Sequence, residues 1–96
     1  MRVFISQPMG GLTREKIISN RNTMINKLKV LFGQDIQIID SLLEGENQPI
    51  EALGKSVQLM SGADLIYLGK GWSKSRGCII ENMVAKYYKI ATLEEE

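Results

Sequence analysis

Leu65-Ile66-Tyr67-Leu68, then Gly69-Lys70-Gly71-Trp72-Ser73-Lys74-Ser75-Arg76-Gly77, then Cys78 to Tyr88, is the stretch that decides the fold. Four apolar residues in a row read as a strand covered on both faces. The polar, glycine-bearing run after them reads as a loop. Cys78 to Tyr88 reads as a helix and Ile90-Ala91-Thr92-Leu93 as the next strand. A strand, a loop at its carboxyl end and a returning helix make one crossover of a parallel sheet.

The same alternation runs back to the start of the chain. Val3-Phe4-Ile5 is a short β-branched and aromatic run, and Ser6 to Leu12 carries Pro8, Gly10 and Gly11, a loop. From Thr13 the apolar spacing is helical, with Ile17, Met24, Leu28 and Leu31 on one face and Ile18, Ile25 and Phe32 beside it. Thr13 suits the helix start and Gly33 its end. Ile36-Gln37-Ile38-Ile39 predicts a second strand, and Ser41 to Gln48 an irregular acidic loop. Pro49 then opens a helix whose apolar face is Ile50, Leu53, Val57 and Met60, ended by Gly62. The order β-α-β-α-β-α-β predicts an α/β fold: a four-stranded parallel sheet with helices on both faces. Ligands of such sheets bind beyond the carboxyl ends of the strands, where both glycine-bearing loops lie.

Bulk composition narrows the function. The chain has 96 residues, 44% of them hydrophobic, enough for one domain, expected over residues 1–93 with Glu94-Glu95-Glu96 as a solvated acidic tail. A domain of this size buries about 60–65% of its unfolded surface, so a homodimer or higher homo-oligomer is expected to help it. Lys and Arg number 12 against 11 Asp and Glu, a balance that argues against nucleic-acid polymers and membrane surfaces as partners. The single Cys78 forms no internal disulfide, and the absence of histidine removes Ser-His-Asp and Cys-His nucleophile systems and makes a transition-metal site unexpected. No cofactor is expected. The opening residues turn polar too soon for a signal peptide, so a cytoplasmic location is expected.

Two loops carry the candidate chemistry. In Ser6-Gln7-Pro8-Met9-Gly10-Gly11-Leu12-Thr13 the glycines either permit a tight turn or let backbone amides approach an anion, with Ser6 and Gln7 adding polar side chains. Neither a dinucleotide fingerprint nor a Walker loop is present. In the second loop Ser75, Arg76 and Gly77 stand where the third helix begins, and a hydroxyl, a guanidinium and free helix amides make a phosphate cradle. Trp72 is either a stacking surface for a base or half-buried packing. Glu81, among Ile79, Ile80, Met83 and Val84, is either a nucleophile or base in a water-poor site or a surface complement to the helix dipole. Asp40 past the second strand and Asp64 before the third divide between ligand contact and turn roles. Cys78 reads as a structural thiol, and Tyr87, Tyr88 and the methionines as core or subunit interface.

The combination of Phe4-Ile5-Ser6-Gln7-Pro8-Met9-Gly10-Gly11-Leu12, Ala63-Asp64-Leu65-Ile66-Tyr67 and Gly71-Trp72-Ser73-Lys74-Ser75-Arg76-Gly77-Cys78-Ile79-Ile80-Glu81 resembles small bacterial and phage relatives of the nucleoside 2-deoxyribosyltransferases. The resemblance covers nearly the whole chain. It implies a Rossmann- or flavodoxin-like three-layer sandwich and chemistry at the bond between base and sugar. Glu81 matches the glutamate nucleophile of that superfamily, and Ser75 matches the phosphate-binding serine of its monophosphate N-glycosidases. The resemblance therefore implies a nucleotide N-glycosidase or deoxyribosyltransferase-like enzyme, with a non-catalytic nucleotide-binding or sequestering protein as the alternative. One position departs: where both enzyme types carry an aspartate that helps protonate the leaving base, this chain has Ser56.

Overall fold

The structure is a computed structural model that describes residues 1–41 and 48–96. Most of the acidic loop expected between Ser41 and Gln48 lies outside the described residues. Its elements are β1 (Arg2–Ser6), α1 (Arg14–Phe32), β2 (Gln37–Ile38), α2 (Pro49–Met60), β3 (Leu65–Leu68), a 3₁₀ turn (Trp72–Lys74), α3 (Arg76–Tyr87) and β4 (Ala91–Glu94). The four strands are all parallel, in the order β2-β1-β3-β4. This is an α/β fold with three helices, compatible with the Rossmann- or flavodoxin-like class.

Alternation along the strands explains the three layers. Val3 and Ile5 of β1 with Leu65 and Tyr67 of β3 pack against Met24 and Leu28 of α1. Phe4, Ile66 and Leu68 point the other way, onto Met60 of α2 and Ala85 of α3. Burying each such side chain contributes about 1.5–3 kcal/mol, so the two faces together hold the sheet between its helices. Because every residue of β3 is buried, its run of four apolar residues had no polar side to show.

Local signals set the ends of α1. The Thr13 side chain accepts from the Lys16 amide at 3.1 Å, and the Gly33 amide donates to Lys29 O at 2.8 Å. Gly33 takes φ 91°, a left-handed value that favours glycine.

Several expectations are corrected. Leu31 and Phe32 are 60% and 45% exposed, and the face of α1 that packs on the sheet is that of Met24, Ile25 and Leu28. The stripe's buried members are instead Arg21, Met24 and Leu28. α3 starts at Arg76, ahead of Cys78, since Ser75 already takes the extended conformation of an N-cap. Tyr87 and Tyr88 are exposed, so they are not core, whereas Met24 and Met60 are. The acidic end is not a free tail. Glu94 closes β4, the Glu95 amide donates to Leu68 O at 2.8 Å, and Lys27 Nζ meets Glu95 Oε2 at 2.9 Å and the Glu96 carbonyl at 2.7 Å. Backbone pairing and one ion pair hold it to the sheet. No helix among the described residues is long and apolar enough to cross a membrane.

Candidate functional site

The strand order reverses between β1 and β3, and a crevice opens at the carboxyl end of such a junction. Here it is a cleft of about 930 Å³. Met9 and Gly10 of the first loop, Ser41 after β2, the first half of α2 and the start of α3 form its walls. Both glycine-bearing loops thus reach one site. Gly11 (φ 75°) and Gly71 (φ 81°) take left-handed backbone angles, so each loop turns sharply at a residue without a Cβ. Gly10 needs no such angle.

Glu81 is the centre of the cleft. Its position in the second turn of α3 puts it on the same inward face as Cys78 and Ala85. Only 8% of the residue is exposed, so it does not serve as a surface complement to the helix dipole. Ser6, the last residue of β1, donates its hydroxyl to Glu81 Oε1 at 2.6 Å, and Ser56 of α2, which lines the same cleft, is close enough to the carboxyl to favour its ionised form. Burial pushes the Glu81 carboxyl above the usual carboxylate range, and the two serine hydroxyls oppose that rise by favouring the ionised form. Burial likewise pushes the neighbouring Cys78 thiol up, with the Glu81 charge adding to the effect and the nearby Ser6 and Ser75 hydroxyls opposing it. A thiol held protonated is not a nucleophile.

Ser75, Arg76 and Gly77 line the same cleft at the beginning of α3. The Ser75 side chain makes no capping bond to the helix. The first-turn amides therefore keep their positive end turned to whatever occupies the cleft. The exposed side chains of Lys74 and Arg76 add two cationic groups at this end.

The remaining candidates fall in other places. Ser6 is 1% exposed and stands behind Glu81, outside the cleft lining. Its role is to hold the carboxylate. Gln7 lines the cleft, but both ends of its amide are engaged: Nε2 donates to Ile17 O at 3.0 Å and Oε1 accepts from Arg21 Nη1 at 3.3 Å. Asp40 is exposed and outside the lining, where its charge supports the ionised Arg21. Asp64 sits at the amino end of β3, the far edge of the sheet, and accepts from the Arg2 amide at 2.7 Å. Trp72 packs against the core on the α2/α3 side, and its Nε1 donates to Glu94 Oε1 at 2.7 Å. The structure therefore brings together Glu81, Gly10, Ser75, Arg76 and Gly77 in one cleft lining, and leaves Ser6, Gly11, Asp40, Asp64 and Trp72 outside it.

One organising residue escaped the sequence reading. Arg21, 7% exposed, bonds Gln7 as above, Ile39 O at 3.1 Å and Ser41 Oγ at 3.3 Å. The Ser41 hydroxyl in turn donates to Ile5 O at 3.4 Å. This node ties the ends of β1 and β2 beneath the cleft floor. Burial lowers the Arg21 guanidinium from its ordinary value, and Asp40 works against that. A signal was present: Arg21 falls four residues after Ile17 and three before Met24, inside the apolar stripe of α1. Among the described residues no group of three His, Cys, Asp or Glu could hold a metal ion.

A family profile described as "Domain of unknown function (DUF4406)" matches residues 1–93, almost the whole chain. The chain belongs to the DUF4406 family. No curated protein matches it. The profile spans both loops, Ser6, Ser56 and Glu81, so every part of the cleft described above belongs to the DUF4406 domain.

Proposed function

We propose that this DUF4406 domain binds a nucleotide in the cleft and acts on its base–sugar bond, as an N-glycosidase or deoxyribosyltransferase-like enzyme. One observation carries the reading: a buried carboxyl and an uncapped, cationic helix start share one cleft, on one helix. Six residues separate Ser75 from Glu81, about 9 Å along the axis. That spacing suits a phosphate at the first turn and a sugar between it and the carboxylate. The resemblance to the deoxyribosyltransferase superfamily supports the same assignment of Glu81 and Ser75.

In this reading the amides of Arg76 and Gly77, with the Arg76 guanidinium, bind the 5′-phosphate. The Gly10 backbone closes over it from the first loop. Ser6 and Ser56 aim the Glu81 carboxylate at the anomeric carbon, where it forms a glycosyl ester or stabilises the oxocarbenium-like transition state. The apolar wall of Pro49, Ile50, Ala52 and Leu53 receives the base. A second reading, nucleotide binding without turnover, is favoured by one feature: the Ser56 hydroxyl faces Glu81 and supplies no acid for a departing base. The proposal includes a second copy of the chain as partner, because a domain this small with Met83, Tyr87 and Tyr88 exposed gains from pairing; light scattering would then read twice the 10.8 kDa chain mass.

Incubation with ribo- and deoxynucleoside monophosphates, followed by chromatography, tests the enzymatic reading. Free base released by the parent protein and not by Glu81→Gln is the expected result. Intact nucleotide recovered from a stable complex would support the second reading, and neither release nor binding would overturn both.

A further inference from the structure

Glu94 and Glu95 put their side chains on opposite sides of the sheet edge, as consecutive residues of an extended strand do. Glu94 stands in register with Leu68, and the Glu95 amide adds one more ladder bond, to Leu68 O at 2.8 Å. Both carboxylates then close on the loop that follows β3. Glu95 Oε1 accepts from the Lys70 amide at 3.0 Å, while its other oxygen meets Lys27 of α1 at 2.9 Å. Glu94 Oε1 accepts from Trp72 Nε1 at 2.7 Å. The acidic pair thus clasps Lys70 and Trp72 of a segment whose Gly71, Lys74, Ser75, Arg76 and Gly77 line the cleft.

The start of this loop is pinned by its backbone. The Gly69 amide donates to Ser6 O at 2.8 Å, and a Cβ there would lie 3.2–3.4 Å from Met24 and Pro8. Gly71 then turns the chain at φ 81°. Beyond that pivot Trp72 works through both its backbone and its ring. Its carbonyl accepts from the Ser75 amide at 3.0 Å, and the Ser75 carbonyl accepts the first bond of α3, from Ile79 at 2.9 Å. Its ring packs on the core of the α2/α3 side. An apolar face gives an indole no fixed orientation; the directional bond from Nε1 to Glu94 supplies one. A line of contacts therefore runs from the end of β4 through Trp72 to the first turn of α3.

Resting on the nucleotide reading above, we propose that Glu94 and Trp72 are positioning residues of the anion site. Both lie outside the cleft lining, and together they set Ser75 and the amides of Arg76 and Gly77 where a phosphate is received. Charge by itself predicts the reverse effect. A carboxylate attached to the phosphate-binding loop repels an anion, so deleting Glu94 would tighten binding if Coulomb repulsion were its whole influence. Positioning makes the same deletion weaken binding. The two accounts differ in sign. Glu95 acts on the start of the loop through Lys70, but it also carries the Lys27 ion pair, so Glu94 gives the cleaner test.

Adenosine monophosphate is titrated calorimetrically into the parent protein, Glu94→Ala, Glu94→Gln, Trp72→Phe and the Glu94→Ala, Trp72→Phe double variant. Amide exchange is followed in each without nucleotide. Glu94→Ala and Trp72→Phe should each weaken binding by about 3–10-fold, the lower range for a charge-assisted bond because this one lies at the surface. The double variant should bind no worse than either single variant, since both break one contact. Glu94→Gln keeps an acceptor for Nε1 and should stay within about 2-fold of the parent. Exchange at Ser75 should quicken in the Ala and Phe variants while that of α1 is unchanged, which separates local repositioning from a general loss of stability. Tighter or unaltered binding in Glu94→Ala, additive losses in the double variant, or unaltered Ser75 exchange would overturn the inference and leave the nucleotide reading standing. A parent that binds no adenosine monophosphate would instead count against the nucleotide reading, and the Ser75 exchange would then decide the clasp by itself, unaltered exchange overturning it.

Discussion

Replacing Ser6 by alanine removes the hydroxyl that donates to Glu81 Oε1 at 2.6 Å. Ser6 is 1% and Glu81 8% exposed, so water does not refill the lost bond. A hydrogen bond to a charged group contributes about 1.5–3 kcal/mol, and one between neutral groups about 1 kcal/mol. The Ser6→Ala deficit should therefore approach about 2–3 kcal/mol where Glu81 is ionised and fall to about 1 kcal/mol where it is protonated. The sign follows from linkage. The folded-state value of Glu81 already lies above its unfolded one, so the stability this group contributes is fully present below the ordinary carboxylate range. It is lost as pH rises through the folded value. Losing a donor to the carboxylate moves that folded value further up, so the variant's deficit grows with pH. Urea denaturation of both proteins at about pH 4 and about pH 8, on either side of the carboxylate range, reads the deficit. A carbon-13 titration of the Glu81 side chain reads the midpoint. Equal deficits at both pH values, with an unmoved midpoint, would refute the assignment of Ser6 as the group that holds the carboxylate.

Glu81→Gln removes a buried charge while keeping an acceptor for Ser6, so this variant should be more stable than the parent above the carboxylate range, with the gain disappearing on acidification; thermal melting across pH measures it. Arg21→Met strands Gln7 Oε1, Ile39 O and Ser41 Oγ, and should cost about 3 kcal/mol in urea denaturation; a cost under about 1 kcal/mol would show that the node is not structural. Arg76→Ala should weaken binding of a nucleoside monophosphate by about 10–100-fold, the range for a lost charge-assisted bond, and should flatten its salt dependence. Lys27→Met should free the chain end held by Glu95, seen as faster amide exchange at Lys70, whose N–H donates to Glu95 Oε1 at 3.0 Å, and at Glu95 itself.

The fold was legible in the sequence because each element carried its own punctuation. Thr13 and Gly33 bounded α1, Pro49 opened α2, and the unbroken Leu65–Leu68 run marked the central strand. Partners across the sheet are not written in local spacing, and that is where the reading fell short. Leu31 and Phe32 continue the apolar period of α1, yet burial depends on what packs against them, and the core takes Met24, Ile25 and Leu28 of that helix instead. The site divides in the same way. Glu81, Ser75, Arg76 and Gly77 are neighbours on one helix, so their convergence followed from helical spacing. Ser6 and Ser56 meet Glu81 from β1 and α2, contacts of 75 and 25 residues' separation, and only the packed layers reveal them. Asp64 failed as a cleft residue for a topological reason: it opens a strand whose other end meets the cleft.

A crystal structure of the Glu81→Gln variant with a nucleoside monophosphate bound is the most direct measurement. The proposal predicts phosphate oxygens about 2.7–3.2 Å from the amides of Arg76 and Gly77. It also predicts the anomeric carbon about 3–3.5 Å from the side chain at position 81. A phosphate seated elsewhere, or a sugar turned away from position 81, would contradict it.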